Sequence, residues 1–257
     1  MRRISSRLLA AVLAAGLCAA AGGCAAAGGT HWSYSGATGP AKWSALDKSF
    51  ALCKNGTVQS PINIPEADVR KGDLPSLLFN YKPSPLRIID NDHTIQVNYA
   101  PGSFVTVSGK QYELVRIEFH KPSEIKVSGK DHEMGIHLIH QDKEGKLAVV
   151  AVFVDPGKEN AVIKTLWSNL PQAKDKENVV EAAKINAFEL LPSGDKGYYS
   201  FPGSLTAPPC TENVAWFVVK TPIQLSNDQI ARFAKLYPMN ARPVQPLNDR
   251  DLVGTAR

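Results

Sequence analysis

Residues 112–124 read YELVRIEFHKPSE, a stretch in which residue character alternates from position to position. A strand sends successive side chains to opposite faces. The alternation predicts a strand with Tyr112, Leu114, Arg116, Glu118 and His120 on one side and Val115, Ile117 and Phe119 on the other. The second face reads as core, the first as either a functional wall or a solvated sheet surface. Similar segments recur in HTIQVNY, where Ile95, Val97 and Tyr99 share a face, in SFVTVSG and in GIHLIHQD. KLAVVAVFVD and NVAWFVVK are nearly unbroken apolar runs rich in valine, as in strands buried on both faces.

Helical spacing is rarer. SNDQIARFAKLY opens on Ser226 with Gln229 three residues on, a capping-box pattern, and places Ile230, Phe233, Ala234 and Tyr237 on one face. ENAVIKTLWSNLP spaces Val162, Ile163, Leu166, Trp167 and Leu170 in the same way until Pro171 ends it. The 18 prolines imply many ordered loops. No repeat, long linker or composition break follows residue 30. The pattern therefore predicts one domain, residues 31–257, of mainly β (α+β) class, with a large, central, mostly antiparallel twisted sheet and peripheral helices.

Composition alters this picture only at the N-terminus. With 44% hydrophobic and 21% charged residues the chain is an ordinary globular one. Its first residues combine Arg2, Arg3 and Arg7 with an apolar stretch and then small residues, which predicts a signal peptide over 1–23 and a short linker over 24–30. Cys24 follows AAGG as in a lipoprotein signal, so either a lipid on that residue or simple cleavage nearby is expected. Most of the formal net charge of +5 leaves with those three arginines, and nothing argues for nucleic acid. The expected location is periplasmic or outer-envelope, with membrane contact only through a lipid on Cys24. Cys53 and Cys210 remain in the folded part, an even pair in an oxidising compartment, either bridged or as two buried thiols.

Of the 6 histidines, His120 and His137 stand on predicted strands joined by the turn-like KVSGKD. Paired side by side they are either metal ligands or satisfied polar residues. His140 lies three positions beyond His137, hence on the opposite face, and reads as structural.

Taken together, HWSY, CKNGTVQSPINI, NDHTIQVNY, FHKPSE, IHLIHQD, GKLAVVAVF, FPGSLTAPPCTE and NARPVQPL resemble, in order and spacing, the α-class carbonic anhydrases. The resemblance implies a sheet with a conical cleft, and at its floor a zinc ion on three histidines whose bound water has its pKa lowered to about 7 and attacks carbon dioxide. It places His120 and His137 at two ligand positions and Glu118 at the first. It also implies Thr206 as the hydroxyl that orients the nucleophile, Glu124 as the carboxylate behind it and His93 as the proton shuttle. Ile139, Val149, Leu205 and Trp216 fall at the apolar carbon dioxide pocket, and Tyr34, Asn91 and Gln96 at the ordered-water network. Cys53 and Cys210 match the disulfide of secreted bacterial members.

Three positions depart from the family pattern. Glu118 replaces a histidine ligand, Arg116 the glutamine that orients it, and Gly135 the glutamate that orients the third ligand. Two readings follow. In one, Glu118, His120 and His137 still hold zinc, and carbon dioxide and bicarbonate are interconverted at reduced rate. In the other, Arg116 neutralises Glu118 and repels a dication. The protein is then an acatalytic, carbonic-anhydrase-related binding module of the envelope.

Overall fold

The valine-rich run forms the strand Leu147–Pro156, in which every residue from Ala148 to Val154 is buried. It is buried on both faces because it is central: Met134–Gln141 pairs antiparallel on one side and Glu212–Leu225 parallel on the other. The computed structural model describes residues 30–194 and 196–256. The expected leader, Cys24 and nearly all of the linker lie outside the described residues.

The main sheet has 12 strands. From one edge inward, Asn178–Ile185, Ser84–Asp90, Ile95–Asn98, Lys110–His120, Met134–Gln141 and Leu147–Pro156 follow one another antiparallel. Glu212–Leu225, Tyr198–Ser204, Val253–Thr255 and Arg70–Gly72 continue to the other edge. The strand Phe104–Val107 joins Lys110–His120 through Ser108 and Gly109, both with positive φ (50° and 76°), the backbone that a tight two-residue hairpin requires.

The two longer helices cover one face. Ser226 caps Asn227–Leu236 with the full capping box, burying Ile230 and Phe233. Asn160 caps Ala161–Ser168, which buries Val162, Ile163, Leu166 and Trp167. Both pack in one apolar cluster with Leu86, Ile117, Phe119 and Leu138. Each such fully buried side chain contributes about 1.5–3 kcal/mol. Among the described residues no helix is long and apolar enough to cross a membrane.

One expectation fails at Val115. The pairing between Lys110–His120 and Met134–Gln141 shifts between Leu114 and Arg116, so Val115 is an extra residue in its strand. Leu114 therefore joins Ile117 and Phe119 in the helix-covered core, with Tyr112 packed against it, while Val115 packs with the other cluster. Of the five residues expected on the polar face only Arg116, Glu118 and His120 keep it, while Ile117 and Phe119 lie in the core as expected.

The opposite face, partly covered by the second apolar cluster, carries two cross-sheet rows in register. Gln96, Glu118, His137 and Ala151 form one; Asn98, Arg116, Ile139, Val149 and Trp216 form the next.

Candidate metal centre

These rows floor a cleft of about 410 Å³. Arg116, Glu118, His137, Ile139 and Val149 reach it from the sheet, Asn91, His93 and Gln96 from one wall, and Leu205, Thr206 and Trp216 from the other. At the bottom His120 and His137 sit with ring centres 4.5 Å apart, both buried. Glu124 joins them: one ligand atom from each of the three lies within 4.8 Å of the others.

The tautomer of His120 is fixed. Its Nδ1 lies 2.9 Å from the Asn240 carbonyl, which only accepts, so Nδ1–H donates and it is Nε2 that the neutral ring offers as a lone pair. That Nε2 is buried without a hydrogen-bond partner, as is Oε2 of Glu124. Burial holds the His137 imidazole well below its ordinary pKa, and nearby His120 adds to the effect, so the ring is neutral. The other Glu124 oxygen accepts from the backbone N–H of Arg242 at 2.8 Å. The buried Arg242 guanidinium bonds Gln59, Ser60 and Cys53 and lies 5.5 Å over Trp43; desolvation lowers its pKa to about 10, against the pull of Glu124.

Glu118 stands in register with His137 but outside this group. Its Oε1 accepts from Nε of Arg116 at 2.7 Å. The arginine expected beside the site is thus bonded to the carboxylate expected to replace a histidine. Gly135, opposite His120, has no side chain to support His137, and a Cβ there would lie 3.1 Å from Oγ of Ser123.

The walls divide by polarity. Ile139, Val149 and Trp216 pack in the second apolar cluster with Leu205 at its margin. Thr206 stands beside them on the segment that Cys210 ties to Cys53, a formed disulfide. Opposite, Oδ1 of Asn91 accepts from the N–H groups of His93 and Thr94, and its Nδ2 donates to Gln96. His93 stacks on Trp32 at 3.6 Å. Burial lowers its pKa, partly offset by Asp92. Tyr34 does not line the cleft but packs edge-on to Trp32 and Trp43. His140 faces the core, where its Nε2 meets Tyr81 Oη at 2.7 Å, and burial lowers its pKa to about 3.

Sequence reasoning gave no role to Trp32, Asn240 or Arg242. Asn240 also clamps Lys121, accepting from its N–H, and donates from Nδ2 to the carbonyls of His93 and Phe119, so joining the loop of His93 to the strand of His120. The NARPVQPL stretch was the available signal.

Two imidazoles and a carboxylate are a donor set that holds catalytic zinc. Buried polar atoms without partners are rare, and a cation would satisfy Nε2 of His120, while Oε2 of Glu124 lies 3.6 Å from Nδ1 of His120 and 3.7 Å from Nδ1 of His137. The residues therefore fit a divalent metal. Fold and site together define a protein that places two buried histidines and a carboxylate, a set able to hold a metal, under a cleft that is polar on one side and apolar on the other.

The eukaryotic-type carbonic anhydrase family profile matches residues 38–255. A carbonic anhydrase of Nostoc sp. is 43% identical over 223 residues, 86% of this chain and 84% of that protein. One from Neisseria gonorrhoeae is 40% identical, covering 98% of each chain. The solved α-carbonic anhydrase of Thermovibrio ammonificans, in complex with sulfanilamide, superposes with a TM-score of 0.84 at 39% identity, covering 88% of this chain and all of that one. The chain belongs to the α-class carbonic anhydrase family.

Proposed function

We propose that this protein is exported to the periplasm and interconverts carbon dioxide and bicarbonate at a metal held by His120, His137 and a carboxylate, more slowly than a site of three histidines would. The observation that carries the reading is the buried group of His120, His137 and Glu124, ligand atoms within 4.8 Å of one another, with Nε2 of His120 left without a hydrogen-bond partner. Glu124 belongs to the ligand group as it stands; Glu118 stands outside it with Oε1 bonded to Arg116 and Oε2 without a hydrogen-bond partner among the described residues. The basic, apolar leader and the Cys53–Cys210 bridge support export.

When bound, the metal supplies an acidified water, less so beside an anionic ligand than beside a neutral one. The protein supplies the rest. Carbon dioxide is apolar and fits the wall of Ile139, Val149, Leu205 and Trp216. Thr206 offers a hydroxyl at that wall to orient the attacking water. His93, half-buried and neutral near pH 7, accepts the released proton and passes it to solvent. The ligands implied are thus zinc, carbon dioxide and bicarbonate.

The Arg116–Glu118 bond favours a second reading, a metal-free fold serving as an envelope binding module. Zinc analysis of protein purified from the periplasmic fraction separates the two. The catalytic reading expects about one zinc per chain and carbon dioxide hydration that chelation abolishes and zinc restores. Protein without zinc, gaining no activity when zinc is added, would establish the second.

A further inference from the structure

The cleft floor holds a charged group that carbon dioxide chemistry does not use. Arg116 lines the cleft with its side chain 29% exposed, and Glu118 occupies Nε alone. Among the described residues no hydrogen-bond acceptor meets its two Nη atoms. A guanidinium whose Nε is taken still presents the Nη1–Nη2 edge, two parallel donors matched to a carboxylate. Immediately across the sheet in register are Ile139, then Val149, then Trp216. Strands lie about 4.8 Å apart, so an apolar surface begins one strand from the cation. A cation beside an apolar strip, inside about 410 Å³, has the shape and polarity of a site for a small amphiphilic anion.

We propose that the cleft binds small monocarboxylates with an apolar body, the carboxylate on the Nη edge of Arg116 and the body along Ile139 and Val149. Arg116 is the specificity-determining residue and Glu118 its built-in competitor: Glu118 orients the guanidinium and lowers its net attraction for an incoming anion. The site needs no metal, so it stands or falls separately from the catalytic reading. A ligand seated there covers the wall assigned to carbon dioxide.

The test is calorimetric titration of metal-stripped, desalted protein with benzoate, and with benzamide as its neutral counterpart. Saturable benzoate binding is expected, with benzamide at least about tenfold weaker. Arg116→Gln, which installs the residue the family pattern carries here, should weaken benzoate by about tenfold or more, and Glu118→Gln should tighten it. Circular dichroism and thermal melts confirm that both variants are folded. Equal affinity for benzoate and benzamide, unchanged benzoate affinity in Arg116→Gln, or no benzoate binding by the metal-free protein would overturn the proposal.

Discussion

His93 is the residue at which pH should act most visibly on turnover. Burial against Trp32 disfavours its charged form and lowers its pKa; Asp92 favours that form and opposes the shift. The net direction is down, so the imidazole remains a neutral proton acceptor to pH values below its ordinary 6.5. The acid limb of hydration assigned to this group is therefore expected below that pH. Asp92→Asn should move it lower still by removing the carboxylate that stabilises the imidazolium. His93→Ala should slow proton-transfer-limited turnover about 100-fold, with recovery in imidazole buffer. Stopped-flow hydration across pH checks all three, and an unmoved acid limb in Asp92→Asn would remove His93 from the relay. At this scale the sequence was informative because the groups are side chains of distinctive chemistry. Asn240 was not legible, since it holds His120 through a backbone carbonyl that every residue type possesses.

At the scale of elements, periodicity located the strands and helices but not the bulge. An inserted residue leaves local polarity almost unchanged, and only the partner strand reveals that Leu114 and Arg116 face neighbouring residues, His140 and Ile139. The distinction is measurable in stability. Leu114 is fully buried in the main core, so Leu114→Ala should cost about 2–5 kcal/mol, whereas the half-buried Val115→Ala should cost clearly less. Ser226→Ala, which breaks a capping box that the sequence did announce, should cost about 1 kcal/mol. Urea denaturation ranks the three. If Val115→Ala proved the most damaging, the register derived for the ligand strand would be wrong. That register matters to function, since it places Arg116, Glu118 and His120 together on the open face despite the change of phase before them.

At the scale of the whole molecule, the fold and most of the cleft persist while the ligand positions have changed, and variants can separate the two. Arg116→Gln with Glu118→His replaces the ion pair by an amide and a third imidazole, aligned across the sheet with His137. Removing a guanidinium from the vicinity of a dication and adding a neutral ligand both favour metal. The double variant is therefore expected to bind zinc more tightly than the parent. Its melting temperature should rise further on zinc addition, since each tenfold gain in affinity adds about 1.4 kcal/mol of stability at saturating metal. Gly135→Glu, the remaining step to the family pattern, meets an obstacle. Its Cβ would lie 3.1 Å from the Ser123 hydroxyl, which itself donates to the Ile125 carbonyl at 3.1 Å. Support for His137 should thus be realised only when Ser123→Ala accompanies it, as the glutamate otherwise displaces a buried hydrogen-bonded neighbour. The expected order of zinc-induced stabilisation is parent, double variant, then double variant with Gly135→Glu and Ser123→Ala. A double variant with no zinc-dependent shift at all would show that His120 and His137 are not the metal pair, whatever the fold around them.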